Sequence, residues 1–413
     1  MITNNIVYTK FSAYRFNIKK ALGSYIWDDS DKQYIDFTSG WNVTNLGWDN
    51  QEVIDAGMKQ LETNSYSPMW TLDKTQDIYA QTLTKAIGHN LTVVARATGG
   101  MESIEMAIKT ARAYTGRKKI LGFFEQFHGS SINALSLGYR PEWIAKLTDV
   151  KEDFIHLEYP RIYKSKKTEK ELLQELEIQL NTVLKNEDVA AVITEVGIIT
   201  GWGSTHVAPE GFIDVIRKVT KKYGTLLIID EIGTGFSRLG SLFGIHHVNV
   251  EPDIICLAKA IANGSGVMAA MVTTKKIAEE TYLTSNLQST FGWNPVACAM
   301  AQKTLEIHQR DNTARQATEK GIYMKDILNK ELRNNPLVGD IRGMGMEIGV
   351  DLRVENAETV VGIVNKAFKS GLHIVCDYTS NIQLMPPLTI EKEVLDKGLE
   401  ILISTIKKNG YEP

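Results

Sequence analysis

Two charged residues close apolar runs in this chain, and their types could do covalent chemistry together. Leu226-Leu227-Ile228-Ile229 ends in Asp230, and Ile254-Ile255-Cys256-Leu257 is followed by Ala258 and Lys259. A lysine amine can condense with a carbonyl, and a carboxylate can keep a ring nitrogen protonated. Pyridoxal phosphate needs both from its protein. A single lysine is more often a solvated surface charge, so the pair gains meaning only from its company. Ala97-Thr98-Gly99-Gly100-Met101 lies between a strand-like and a helix-like segment, where glycines and free helix N–H groups suit a phosphate. A glycine pair alone more often marks a turn. Glu125-Gln126-Phe127-His128-Gly129-Ser130 follows another apolar run, and Phe127 could stack on a flat ring or belong to the core. Thr194-Glu195 and Ser289-Thr290 complete the set, the hydroxyls of the latter suiting a further phosphate contact.

The elements that must position these residues alternate along the chain. Helix-like segments at 50–63, 72–87, 100–115, 168–186 and 209–223 are interleaved with short apolar runs. Those runs are Val93–Ala95, Ile120–Phe123, Phe154–Leu157, Ala190–Ile193, Leu226–Ile229 and Ile254–Leu257. Without polar alternation they read as strands buried on both faces. Interleaving with helices predicts a largely parallel α/β sheet, whose ligands sit beyond the carboxyl ends of the strands. Asp230 and Lys259 both fall there. The charged run Tyr163–Lys170 reads as a solvated loop entering a helix. After a helical stretch around 294–334, the runs Gly345–Val350 and Leu372–Val375 and the helices at 357–370 and 389–408 suggest a separate α+β lobe.

The bulk composition excludes several classes. The chain has 413 residues, 43% hydrophobic and 23% charged, with a net charge of −3. That length favours more than one lobe, and that charge does not favour nucleic acid or an anionic membrane. No apolar run is long enough for a membrane span, and the first residues do not read as a secretory signal. Cys256, Cys298 and Cys376 have no metal-like spacing, so no metal is expected, and they fit reduced thiols in a cytoplasmic protein.

Taken together, the motifs resemble the class III pyridoxal-phosphate aminotransferases, the group of ornithine, 4-aminobutyrate and other ω-amino transaminases. The resemblance runs from Phe37-Thr38-Ser39-Gly40 to Met385-Pro386-Pro387-Leu388, with six motifs in order. It implies a fold-type-I enzyme with a large, mostly parallel, seven-stranded α/β domain over 46–305. A smaller α+β domain would combine 1–45 with 306–413. It implies that Lys259 forms the Schiff base with the cofactor and then shuttles a proton, and that Asp230 pairs with the ring nitrogen. Gly99, Gly100 and Met101 would hold the phosphate, Phe127 and Ile232 would pack on the two ring faces, and Glu195 would lie close by with a catalytic part. Thr290 would reach the phosphate of the neighbouring subunit, which makes a homodimer part of the site. His128 belongs among the cofactor contacts as a hydrogen-bonding residue, since Lys259 already fills the role of base. The implied reaction is ping-pong transamination between an amino donor and a carbonyl acceptor. A racemase or epimerase of the same family is the alternative. A non-catalytic relative would be expected to lack Lys259 or Asp230, and both are present.

The chain departs from its family where substrate is held. An arginine that grips the substrate carboxylate is replaced by Gln383, a second one by Ser130, and the glutamate that gates the first by Thr200. The glutamine that often follows the Asp-Glu-hydrophobic triplet is Gly233. Glutamine does not supply the charge and fork of an arginine, so a dicarboxylate is not expected to be held in the usual way. Trp41, Trp70 and Trp202 are candidates for an aromatic-lined cleft. Trp48 and Trp293 read rather as core or interface residues. Arg238 is expected to be structural, and Arg96 and Arg112 to make ion pairs.

Overall fold

The computed structural model describes residues 2–3, 6–7, 15–138, 144, 146–147, 153–201, 204–354 and 356–409. Its largest sheet has seven strands: β1 (Leu91–Ala97), β2 (Lys119–Phe123), β3 (Phe154–Leu157), β4 (Val189–Glu195), β5 (Leu226–Asp230), β6 (Ile254–Leu257) and β7 (Ala269–Thr274). They lie in the order β1-β7-β6-β5-β4-β2-β3. Neighbours from β6 to β3 run parallel. Only β7 is antiparallel to both its neighbours. The apolar runs expected as strands all lie in this sheet. The seventh strand, β7, was not among them, because its opening Ala269-Ala270 carries little strand preference.

Every residue of β4, β5 and β6 is buried. Helices cover both faces of the sheet, which is why these strands tolerate no polar alternation. The helix Phe212–Tyr223 buries Phe212, Ile213, Ile216, Val219 and Thr220 and stops at Gly224, a left-handed residue at φ +62°. Each large apolar side chain buried this way contributes about 1.5–3 kcal/mol. The register sets the site: Asp230 of β5 pairs with Glu195 of β4, and with Cys256 of β6 on its other side. Three adjacent strands therefore deliver Glu195, Asp230 and, two residues past Leu257, Lys259 to one edge.

A second region is built from both ends of the chain. Val338–Met344, Glu347–Leu352, Asn381–Leu384 and Val375–Cys376 form one antiparallel sheet. In the other, Leu372–His373 pairs with Gln33–Asp36, which continues into Tyr25–Asp28 and Ile18–Leu22. The expected helical stretch at 294–334 is two helices, Pro295–Arg310 and Thr313–Leu332, parted by Asn312 at φ +48°. Trp293 is fully buried and donates from Nε1 to the Ala269 carbonyl (2.7 Å). Trp48 donates to Asp36 (2.7 Å). Arg112 pairs with Asp153 (3.5 Å). Among the described residues Arg96 has no acidic partner for the expected ion pair: its guanidinium donates to the Gln76 amide oxygen (2.7 Å) and the Met69 carbonyl (3.1 Å).

Candidate active site

At the carboxyl edge of the sheet lies a cavity of about 760 Å³. Five strand ends feed it. After β1 come Thr98, Gly99, Gly100 and Met101; after β2 come Phe127, His128 and Ser130; β4 ends in Glu195, β5 in Asp230, and Lys259 follows β6. Ile232, Thr200 and Trp41 also line it. Thr98 and Lys259, 161 residues apart, thus converge because strands running the same way share one carboxyl edge.

Asp230 is a buried carboxylate with two partners. His128 Nδ1 lies 2.6 Å from its Oδ2, and the Ile232 N–H donates to its Oδ1 (2.9 Å). The other His128 nitrogen faces Gln126 Oε1 (3.2 Å), and Gln126 donates to Thr194 Oγ1 (2.7 Å). The aspartate is therefore oriented by a chain of side chains running along the sheet edge. Its neighbour Glu231 turns the other way and anchors the following loop, accepting from Thr234 (2.5 Å), Gly244 (2.9 Å) and Ile245 (2.6 Å). Burial pushes Glu231 up to about 7.

Lys259 has a positive φ of 48°, a conformation that a non-glycine residue holds at a cost and that clusters at functional sites. Burial lowers the proton affinity of its amine, while Glu195, Asp230 and Glu347 pull the other way. Glu195 is pushed up to about 8 by burial first and by the charge of Asp230 second. Thr200 opposes this, its N–H (3.0 Å) and hydroxyl (2.7 Å) both donating to Glu195 Oε2. Glu195 Oε1 is buried with no hydrogen-bond partner among the described residues.

These residues fit pyridoxal phosphate. The helix Gly100–Thr115 starts at Gly99 with no side chain capping it, so its first N–H groups are open to an anion. A Cβ on Gly100 would stand 2.9 Å from Ile232 Cδ1 and 3.3 Å from Ala258 Cβ, so glycine lets the helix start pack closely against the ring wall. Phe127 and Ile232 provide apolar faces, Asp230 a fixed negative charge, and Lys259 an amine of reduced proton affinity.

The residues at the departures are placed differently. Ser130 and Thr200 line the cavity. Gln383 is fully buried behind it, its amide donating to Glu347 Oε1 (2.6 Å) and to the Thr200 carbonyl (2.9 Å). Trp41 donates to the same carbonyl (3.4 Å). Trp70 is 81% exposed and lies outside the cavity lining; Thr290 is exposed too. Trp202 lies outside the described residues. The sequence reading missed Glu347, a buried carboxylate held by Asn42 (2.9 Å), Thr205 (2.8 Å) and Gln383. Its signal was a charge inside the apolar run Met346–Val350. Arg238, fully buried, donates to Asn45 (2.6 Å), the Pro386 carbonyl (2.8 Å), the Met346 carbonyl (3.1 Å) and Ser39 (3.3 Å). It ties the loop after β5 to three distant segments.

A family model described as Aminotransferase class-III matches residues 8–406. An acetylornithine aminotransferase of Methanopyrus kandleri is 30% identical over 402 residues, covering 97% of this chain and 96% of that protein. A leucine/methionine racemase of Thermococcus litoralis is 29% identical, covering 93% and 88%. Among solved structures, taurine:2-oxoglutarate aminotransferase from Bifidobacterium kashiwanohense, in complex with PLP and glutamate, is 27% identical. Its TM-score is 0.89, and 96% of this chain and 93% of that one are covered.

Proposed function

This chain belongs to the class III aminotransferases and is a transaminase dependent on pyridoxal phosphate, and we propose that it works by ping-pong transfer without an arginine of its own to grip a substrate carboxylate. The observation that carries this reading is the cavity lining. Among the described residues that line it, Lys259 is the one lysine or arginine, and Glu195 and Asp230 are carboxylates. Gln383, where the family resemblance expects the arginine, is spent on Glu347 and the Thr200 carbonyl. A donor amine meets acceptors here; a second carboxylate meets no fixed cation.

When bound, pyridoxal phosphate supplies a carbonyl that condenses with amines and a ring that draws electrons from the bond being broken. The chain's own residues do the rest. Lys259, its proton affinity lowered by burial, is the amine that takes and returns a proton at Nζ. Asp230, fixed by His128 and the Ile232 N–H, holds a negative charge in place for the ring nitrogen. The open helix start at Gly99–Met101 holds the phosphate. Phe127 and Ile232 exclude water from the ring faces.

Apolar exposure supports a homodimer. Trp70 (81%), Leu72 (96%) and Phe291 (64%) are exposed, and so are Met101 and Val267, which line the cavity. A second copy covering them would bring its Thr290 to this edge. A cytoplasmic location is supported by three free, buried cysteines; no described helix is long and apolar enough to cross a membrane.

The test is a screen of amine and amino-acid donors against pyruvate and 2-oxoglutarate, read as new amino acid formed. Activity with simple amines or monocarboxylate amino acids and weak activity with glutamate is expected. A strong preference for glutamate would overturn the reading. The racemase-like relative supports a second reading, isomerisation of an amino acid with no keto acid present, and the same assay without acceptor distinguishes it.

A further inference from the structure

Thr200 uses every polar group it has. Its N–H and hydroxyl donate to Glu195, and its carbonyl accepts from Trp41 and Gln383. The hydroxyl has room only because residue 233 lacks a side chain. A Cβ on Gly233 would stand 2.1 Å from Thr200 Oγ1 and 3.5 Å from Lys259 Nζ. Gly233 carries no positive φ, so backbone conformation does not demand glycine there; space does.

We propose that Thr200 and Gly233 are a matched pair of positioning residues: the bare Cα of Gly233 admits the Thr200 hydroxyl, which holds Glu195 in place on the wall shared with Lys259. The pair acts through Glu195, whatever the substrate, so it applies equally to amino transfer and to isomerisation. Glu195 sits at the end of β4, faced by Asp230 from β5, Lys259 from beyond β6 and Tyr159 from beyond β3. Asp230 and burial favour its proton; Lys259 and the two Thr200 donors favour its charge. Removing the hydroxyl, or crowding it out from position 233, leaves the same deficit at Glu195, with one fewer donor on Oε2 beside an Oε1 already unpartnered.

The readout is the carboxyl band of Glu195 in infrared difference spectra of the holoenzyme, titrated with pH and assigned by its loss in Glu195→Gln. A hydrogen bond to a charged group is worth enough to move such a midpoint by about one pH unit. Thr200→Ala and Gly233→Ala are each expected to raise the midpoint by about that much, and Thr200→Ser to keep it. The double variant Thr200→Ala/Gly233→Ala is expected to move no further than either single one, because without the hydroxyl the nearest atom to the new methyl is the residue-200 Cβ at 3.2 Å, a contact that a small shift relieves. A Gly233→Ala midpoint equal to wild type, a double variant that moves by the sum of the two, or a Glu195 band unmoved in every variant would each overturn the proposal. Thermal unfolding of each variant separates loss of fold from loss of position.

Discussion

Replacing Glu195 by glutamine should change how stability depends on pH more than it changes the fold. In the folded protein Glu195 holds its proton up to about pH 8, against an ordinary value of 4.5. Between those values the folded state carries a proton that the unfolded chain has released. Stability attributable to this group therefore falls as pH rises through that window, and below it the penalty is absent. A shift from 4.5 to about 8 corresponds to a ceiling of about 5 kcal/mol at the upper end. Glutamine keeps the acceptor for both Thr200 donors and has nothing to ionise. Urea unfolding of the protein freed of cofactor, at fixed concentration and from pH 5 to 8.5, is the assay. The variant should match wild type near pH 5 and exceed it increasingly toward pH 8, by up to about 1.5 M in midpoint if the urea slope of a chain this size is about 3 kcal/mol per molar or more. Glu231, pushed up to about 7, titrates in both proteins, so its contribution cancels in the difference. Two curves that run parallel across the range would refute the account of Glu195.

Lys259→Ala should lower turnover by at least about a thousandfold, because the amine that moves the proton is gone; a variant with a normal rate sinks the scheme. Arg238→Met should keep the volume but leave four buried acceptors without their donor. At about 1 kcal/mol each, the loss is about 4 kcal/mol, read as a lower urea midpoint at unchanged slope. A loss below about 1 kcal/mol would show that Arg238 does not tie those segments together.

The main sheet was legible because its strands are buried on both faces, which forces unbroken apolar runs such as Leu226–Ile229 and Ile254–Leu257. β7 escaped notice because Ala269-Ala270 has little strand character of its own; its place between β1 and β6 makes it a strand. Glycine at 100 and the Asp230 and Lys259 positions could be read because local rules bind them: a helix start, and the end of a strand. Glu347 stood in plain view as a charge in an apolar run, but its partners Asn42, Thr205 and Gln383 come from three separate stretches of chain.

The sequence by itself determined the sheet class, the edge at which the candidate site residues gather, and the residue types that suit a phosphate, a ring and a reactive amine. These follow from periodicity and from motifs in which neighbours in sequence are neighbours in space. Tertiary structure alone decided what the departures mean. Gln383 turned out to be bound away behind Thr200, Trp70 to point outward, and Gly233 to be the space that the Thr200 hydroxyl occupies. Such facts depend on which side chain fills which volume when distant segments close together, and no local pattern in the chain encodes that distance.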